Sequence, residues 1–204
     1  MARTWFISDL HFHHKNILKY EPCRVDAIIK WKHLDAAAAD VYRDQLQKAF
    51  AGEIPLDQFQ QDHDNMLIDK WNRRVAAGDV VWFLGDLGLC CTPAYLTALV
   101  QQLHGRKKML MGNHDCWSVE DYRNMGFDFV LPRKINGTTP HIILKDRFIL
   151  SHEPPNVFAP SFFYIYGHVH SHEEYPTHTE NSQCVCVERQ NFEPIMISEF
   201  NQAQ

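Results

Sequence analysis

Short apolar runs, each closing on a polar cluster, recur along the chain. Trp5-Phe6-Ile7-Ser8 ends at Asp9-Leu10-His11, and Val80-Val81-Trp82-Phe83-Leu84 ends at Gly85-Asp86. Lys108-Met109-Leu110-Met111 ends at Gly112-Asn113-His114-Asp115. Arg147-Phe148-Ile149-Leu150 ends at Ser151-His152, and Phe163-Tyr164-Ile165-Tyr166 ends at Gly167-His168-Val169-His170. Runs of this length and β-propensity predict buried strands. Sheets covered by helices gather their ligands at the carboxyl ends of strands. Five strand ends bearing oxygen or imidazole donors therefore predict one shared site.

Between the strands the apolar period becomes helical. Over 55–75, Leu56, Phe59, His63, Met66, Leu67, Trp71 and Val75 fall on one stripe. Pro55 suits the first turn and Gly78 the stop. Further helices are predicted over 36–50, ended near Gly52, and over 93–103, with Thr92 as N-cap and Gly105 beyond the end. A fourth covers 118–125, where Ser118 and Asp121 form an approximate capping box. Residues 142–144 and 148–150 read as a hairpin around Lys145-Asp146-Arg147. Residues 184–188 and 195–198 are expected to complete a sheet near the C-terminus. No repeat, low-complexity tract or Gly/Pro-rich linker interrupts the sequence, so a single domain over 1–204 is expected.

Composition narrows the function classes. Hydrophobic residues at 45% and charged residues at 22% match an ordinary globular chain. A formal charge of -5 gives no broad attraction to nucleic acid or anionic membrane, although a local patch or a bound metal escapes that sum. No run approaches the roughly 20 apolar residues of a membrane span. The N-terminus passes from Met1-Ala2-Arg3 straight into a strand, without a signal peptide's apolar region. A cytoplasmic location with no membrane partner and no obligate protein partner is therefore expected. The six cysteines read best as free thiols, since a zinc site on Cys184-X-Cys186 lacks a second suitably spaced pair.

Thirteen histidines are unusual, and His11, His114, His152, His168 and His170 fall within the strand-end clusters. Asp9, His11, Asp86, Asn113, His152, His168 and His170 form a mixed N/O donor set without thiolate. Such a set suits Mn, Fe, Zn, Ni or Co, with Mn favoured, better than calcium. Seven donors exceed one tetrahedral site and suit two cations sharing a carboxylate. Such a pair would supply a bridging hydroxide to attack a phosphoryl group. His114, beside Asn113, is the candidate general acid, and Asp115 is expected to orient it.

Asp9-X-His11, Gly85-Asp86, Gly112-Asn113-His114-Asp115, His152 and Gly167-His168-X-His170, in that order, resemble the calcineurin-like metallophosphoesterases, in particular small bacterial and phage members. That resemblance implies an α/β fold: a four-layer αββα sandwich of two mixed β-sheets flanked by helices. It further implies that Asp9, His11, Asp86 and His170 bind one metal and that Asp86, Asn113, His152 and His168 bind the other, with Asp86 as the bridge. The chain departs from the protein-phosphatase branch after Gly85-Asp86, which continues as Leu87-Gly88. Residues 25–62 look like a helical insertion, either capping the pocket or packing outside the sandwich.

The expected activity is metal-dependent phosphodiester hydrolysis on a small phosphoester or a nucleic-acid end. The alternatives are a phosphomonoesterase, a non-catalytic metal-bound scaffold and, less in keeping with the polar insertion, an enzyme of lipid-linked pyrophosphates. His14 and Arg24 are candidate substrate contacts, Arg24 because a guanidinium matches phosphate in bidentate fashion. Asn16 is expected to cap or brace a helix, Asp62-His63-Asp64 to form a solvated face with only His63 toward the core, Glu153 to support His152, and the aromatic run Phe158, Phe162, Phe163, Tyr164 and Tyr166 to be mostly core, with a site-lining loop the alternative for Phe158.

Overall fold

Alternation along the first strand sorts its side chains onto two opposite faces. In β1 (Thr4–Ile7), Trp5 and Ile7 enter a large core shared with helices, whereas Phe6 enters a second core on the other face. β2 (Val80–Phe83) repeats the division: Val81 and Phe83 face the helices, and Trp82 faces away. Strands covered on both faces account for runs with few polar breaks.

The computed structural model describes residues 2–200. After β1 come α1 (Ile17–Tyr20), α2 (Pro22–Trp31), α3 (Ala36–Phe50) and α4 (Asp57–Arg74). Following β2 are α5 (Pro93–Val100), β3 (Arg106–Leu110), α6 (Val119–Met125) and β4 (Phe127–Leu131). The remainder forms β5 (Ile142–Leu144), β6 (Phe148–Leu150), β7 (Phe163–Tyr166), β8 (His178–Thr179), β9 (Ser182–Cys184) and β10 (Ile195–Met196). Two mixed five-stranded sheets result, ordered β10-β1-β2-β3-β4 and β5-β6-β7-β9-β8. β1 to β4 run parallel with β10 antiparallel; β6, β7 and β9 run parallel between antiparallel β5 and β8.

Phe6, Trp82, Leu84, Leu110, Leu150, Ile165 and Val185 fill the space between the sheets. The expected α/β fold with two mixed sheets is present, and its α-helices pack on the first sheet. The far face of the second sheet is covered by loops: Phe158 sets its ring 5.0 Å from Tyr164 and 6.2 Å from Tyr166. Phe158, about one-third exposed, packs on those two rings at that face.

Local signals explain most element ends. Thr92 accepts from the Tyr95 amide, and Ser118 and Asp121 complete a capping box. Lys145 and Asp146 take positive φ, and Arg147 N closes the turn onto Leu144 O, giving the hairpin the twist its strands require. Asn16 occupies the N-cap position of α1, but its side chain accepts no capping bond.

Three expectations change, and one left open between two alternatives is answered. β4 joins the first sheet although its Phe-Asp-Phe-Val-Leu sequence did not mark it as a strand. Residues 184–188 divide between β9 and a 3-10 turn, and β10 pairs with β1 instead of the C-terminal strands. Residues 25–62 form α2, α3 and the start of α4 on the helical side of the first sheet. Asp62, His63 and Asp64 are all buried, because α3 and neighbouring side chains cover that face. Asp62 accepts from Lys32 and Tyr42, and Asp64 from Tyr95 and the His13 amide.

Phe6 is fully buried between the sheets. Phe6→Ala is expected to lower unfolding free energy by about 3–5 kcal/mol through the cavity it leaves. Urea denaturation of the metal-free protein measures this; a loss under about 1 kcal/mol would show that the intersheet core is not packed around that ring.

Candidate metal centre

The two sheets are stitched together where their strands end. Ser8 N donates to Val185 O, and Ser8 bridges Cys186 in parallel. Beyond β1 the chain continues against the next loop, with Asp9 N donating to Gly85 O and His11 N to Asp86 O. Gly167 N donates to His152 O, bringing the last two histidine loops side by side.

The backbone here is bent sharply. Asp9, His11, Asp86, His168 and His170 all adopt left-handed φ between 45° and 73°. Asp and His tolerate that region better than bulky or branched residues, and it turns successive donors inward. Two glycines are fixed by contact. A Cβ on Gly112 would lie 2.2 Å from Asp86 Oδ1, and one on Gly167 would lie 2.4 Å from Ser8 Oγ. Any side chain at either position would push the loops apart.

All seven candidate ligands meet. Donor atoms of Asp9, His11 and His170 lie within 4.8 Å of one another, as do those of Asp86, His152 and His168. Asn113 Oδ1 lies 2.8 Å from His152 Nε2 and 2.9 Å from His168 Nδ1. Asp86 Oδ2 stands between the groups, 3.6 Å from His11 Nε2 and 3.5 Å from His152 Nε2. His170 Nε2 lies 3.7 Å from Asp9 Oδ1. Two atoms each about 2.1 Å from a cation and at right angles sit about 3 Å apart, so these separations match edges of coordination polyhedra.

Surrounding groups fix which atoms face inward. His152 Nδ1 donates to Leu84 O at 2.7 Å, leaving the Nε2 lone pair toward the centre. His170 Nδ1 meets Glu188 Oε1 at 2.9 Å, which turns its Nε2 to Asp9. Asp9 Oδ2 accepts from His168 N at 2.9 Å and from the Cys186 thiol at 3.3 Å, so Oδ1 is left for the centre. Burial holds the Cys186 thiol protonated, well above its usual range. Asp86 Oδ1 accepts from His114 N at 2.9 Å, leaving Oδ2 between the two groups.

Protonation follows from crowding. Burial, reinforced by Arg24, drives His11 well below the ordinary imidazole value. Burial also lowers His168, with the His152 charge adding to it. In His170 burial is outweighed by the Glu188 hydrogen bond and the Asp9 charge, which raise it to about 9. Burial, opposed by His152 but helped by Asp9 and Asp115, raises Asp86 to about 7.

The remaining expectations divide. His114 stands at the mouth, its ring 5.4 Å from that of His11, and its imidazole makes no hydrogen bond among the described residues. Burial, with His152 and His170 beside it, lowers its pKa. His14 lies on the same rim, 5.2 Å from the His11 ring and 6.4 Å from that of His114. Asp115 does not orient His114: its oxygens accept from the amides of Asp86, Leu87 and Gly112 and from Tyr122 OH. Arg24 does not face the opening. It is fully buried, and it donates to Glu188, Leu10 O, Asp9 O and His63. Glu153 turns toward Arg133 at 4.0 Å and leaves His152 to the Leu84 carbonyl. Among the described residues no cysteine belongs to a candidate metal group, and the six thiols are free. Glu188 and the capture of Asp9 by Cys186 had no sequence signal, because each acts on a ligand far away along the chain.

The fit to divalent cations rests on atoms that have nothing else to bind. Asp9 Oδ1 and both ring nitrogens of His11 are buried without any hydrogen-bond partner. Such groups are costly unless a ligand satisfies them, and oxygen and imidazole facing each other across 3–4 Å suit a transition-metal pair.

Comparisons with known proteins agree. The chain is 27% identical over 204 residues to an uncharacterized protein of Methanocaldococcus jannaschii, covering 97% of this chain and 88% of that one. It is 25% identical over 194 residues to the Gene 66 protein of Mycobacterium phage D29, covering 84% and 80%. A protein of unknown function from Aquifex aeolicus, AQ665, shares the fold with a TM-score of 0.60 at 21% identity, 99% of each chain being covered. No helix among the described residues is long and apolar enough to cross a membrane. The sequence model of the calcineurin-like phosphoesterases matches residues 2–182, and the chain, with its converged oxygen and imidazole donors, belongs to that family of metal-dependent phosphoester hydrolases.

Proposed function

We propose that this chain hydrolyses a phosphodiester, such as a nucleotide or a nucleic-acid end, at a pair of divalent cations, with manganese the favoured metal. The observation that carries the reading is the convergence of Asp9, His11 and His170 with Asp86, His152 and His168 around the shared Asp86 oxygen. Asp9, His11, Asp86 and His170 would hold one ion, and Asp86, Asn113, His152 and His168 the other. Such a pair would supply positive charge to activate water and to neutralise growing charge on the phosphoryl oxygens.

The chain's own groups set the rest. His114, free of protein hydrogen bonds at the rim, is placed to give a proton to the leaving oxygen. His14 meets the substrate beside it. Burial, with His114 and Arg24 nearby, lowers His14 to about 4, so it is neutral at pH 7. Arg24 is spent on internal acceptors, and Arg189 on the His170 and His172 carbonyls. With His14 neutral and Arg24 turned inward, neither supplies the extra countercharge that a dianionic monoester needs, which favours the monoanionic diester.

Turnover of bis-p-nitrophenyl phosphate and p-nitrophenyl phosphate by the manganese-loaded protein tests the substrate class. The diester is expected to be preferred; strong preference for the monoester would reverse the assignment. His114→Ala should retain two metal equivalents yet lose roughly 10²–10⁴-fold in kcat on a diester with a poor leaving group. An unchanged rate there would remove His114 from the acid role.

Metal uptake should depend on pH in a defined direction. With His170 at about 9 and Asp86 at about 7, protons compete with the cations for both groups. Apparent affinity should rise about tenfold per pH unit between 7 and 9 and more steeply below 7. Calorimetric titration with Mn²⁺ in buffers of different ionisation enthalpy reads both affinity and proton release; a flat profile from pH 6 to 8 would contradict the assigned protonation.

A further inference from the structure

Arg24 is a large, fully buried cation on the first turn of α2, remote in sequence from every group it touches except the Asp9-Leu10 carbonyls. Its Nη2 donates to Asp9 O at 2.8 Å and its Nη1 to Leu10 O at 2.9 Å. Those carbonyls belong to the segment in which Asp9 and His11 are forced into left-handed φ of 60° and 51°. Its Nε donates to Glu188 Oε1 at 2.8 Å, the oxygen that also receives His170 Nδ1. Nη1 also meets His63 Nε2 at 2.9 Å. A guanidinium has no lone pair, so His63 must accept through Nε2 and carry its proton on Nδ1, which faces Asp64 Oδ1 at 3.4 Å.

One side chain therefore touches the supports of all three ligands in one half of the centre. It fixes Asp9 and His11 through the backbone and His170 through Glu188. In the other half Asp115 holds the Asp86 and Gly112 amides and the Leu84 carbonyl holds His152, and neither support contacts Arg24; the halves meet through His168 N on Asp9 Oδ2 and His11 N on Asp86 O.

We infer that Arg24, with Glu188, is a positioning residue that gives the Asp9–His11–His170 site its cation affinity. Helix α2 is thereby an integral part of one metal site and not an accessory on the outside of the sheet. This rests on the two-cation reading above and assigns the cause of affinity at one of the two ions.

Manganese binding to the full chain tests it, followed by calorimetry and by EPR, which separates a spin-coupled Mn²⁺ pair from a single ion. The wild type should take two equivalents with a coupled signal; failure there would sink the two-cation reading itself, before Arg24 is at issue. Arg24→Met should keep one ion at wild-type affinity, bind the other at least tenfold more weakly, and show the six-line spectrum of an isolated ion at one equivalent. Glu188→Gln keeps the shape and an acceptor oxygen but removes the charge behind His170. It should weaken the same ion about 10–100-fold, and it decides the matter if Arg24→Met fails to fold. Wild-type affinity for both ions in a folded Arg24→Met, or equal weakening or no weakening of the two ions in Glu188→Gln, would overturn the assignment.

Discussion

Crowding of buried oxygen and imidazole groups, some of them without any hydrogen-bond partner, is the constraint on which this structure turns. Asp9 Oδ1, Asp86 Oδ2 and the inward nitrogens of His11, His152 and His170 face one another over distances of 3.5–3.7 Å or within one 4.8 Å group. In a low-dielectric interior such an arrangement is unfavourable without positive charge among the donors. The same crowding pushes the proton affinities of His170 and Asp86 upward. Divalent cations supply that charge, so the fold around the site serves to hold these groups close enough for metal.

That holding force comes from the backbone and from close packing. Left-handed φ at five candidate ligands turns their donors inward, and such bends persist only where neighbouring structure over-determines them. Here the amides of Asp9 and His11 are tied to the Gly85 and Asp86 carbonyls, and Ser8 is tied to Val185 of the other sheet. Gly112 and Gly167 let the loops approach closer than any side chain would permit. The intersheet core, built from Phe6, Trp82 and Ile165 among others, keeps both sets of strand ends in register.

What the sequence revealed follows from the range of the interactions involved. Strand-end motifs are local: five apolar runs closing on Asp, Asn or His were legible because strand, turn and donor lie within a few residues. Capping at Thr92 and Ser118 was legible for the same reason. β4 was not, since Asp128 interrupts its apolar run at a bulge opposite β3. The burial of Asp62 and Asp64 was hidden because Tyr42, Lys32, Tyr95 and His13, which cover and satisfy them, come from separate elements. Arg24 was read as a phosphate clamp from its chemistry, but its Nε and Nη2 converge on one oxygen of Glu188, 164 residues away.

Asp115 and Arg24 show how the same task is met with opposite charge. The carboxylate of Asp115 gathers the N–H groups of Asp86, Leu87 and Gly112, so it fixes loops by their donors. The guanidinium of Arg24 gathers the carbonyls of Asp9 and Leu10, so it fixes a loop by its acceptors. Each charge is chosen by which backbone groups the turn leaves inward, and each is buried because only desolvated hydrogen bonds are stiff enough to hold a strained turn. An uncharged residue would leave those groups with weaker bonds. Swapping the two charges would set like dipoles against like. The choice of a carboxylate at one turn and a guanidinium at the other therefore follows from chain direction at the two turns.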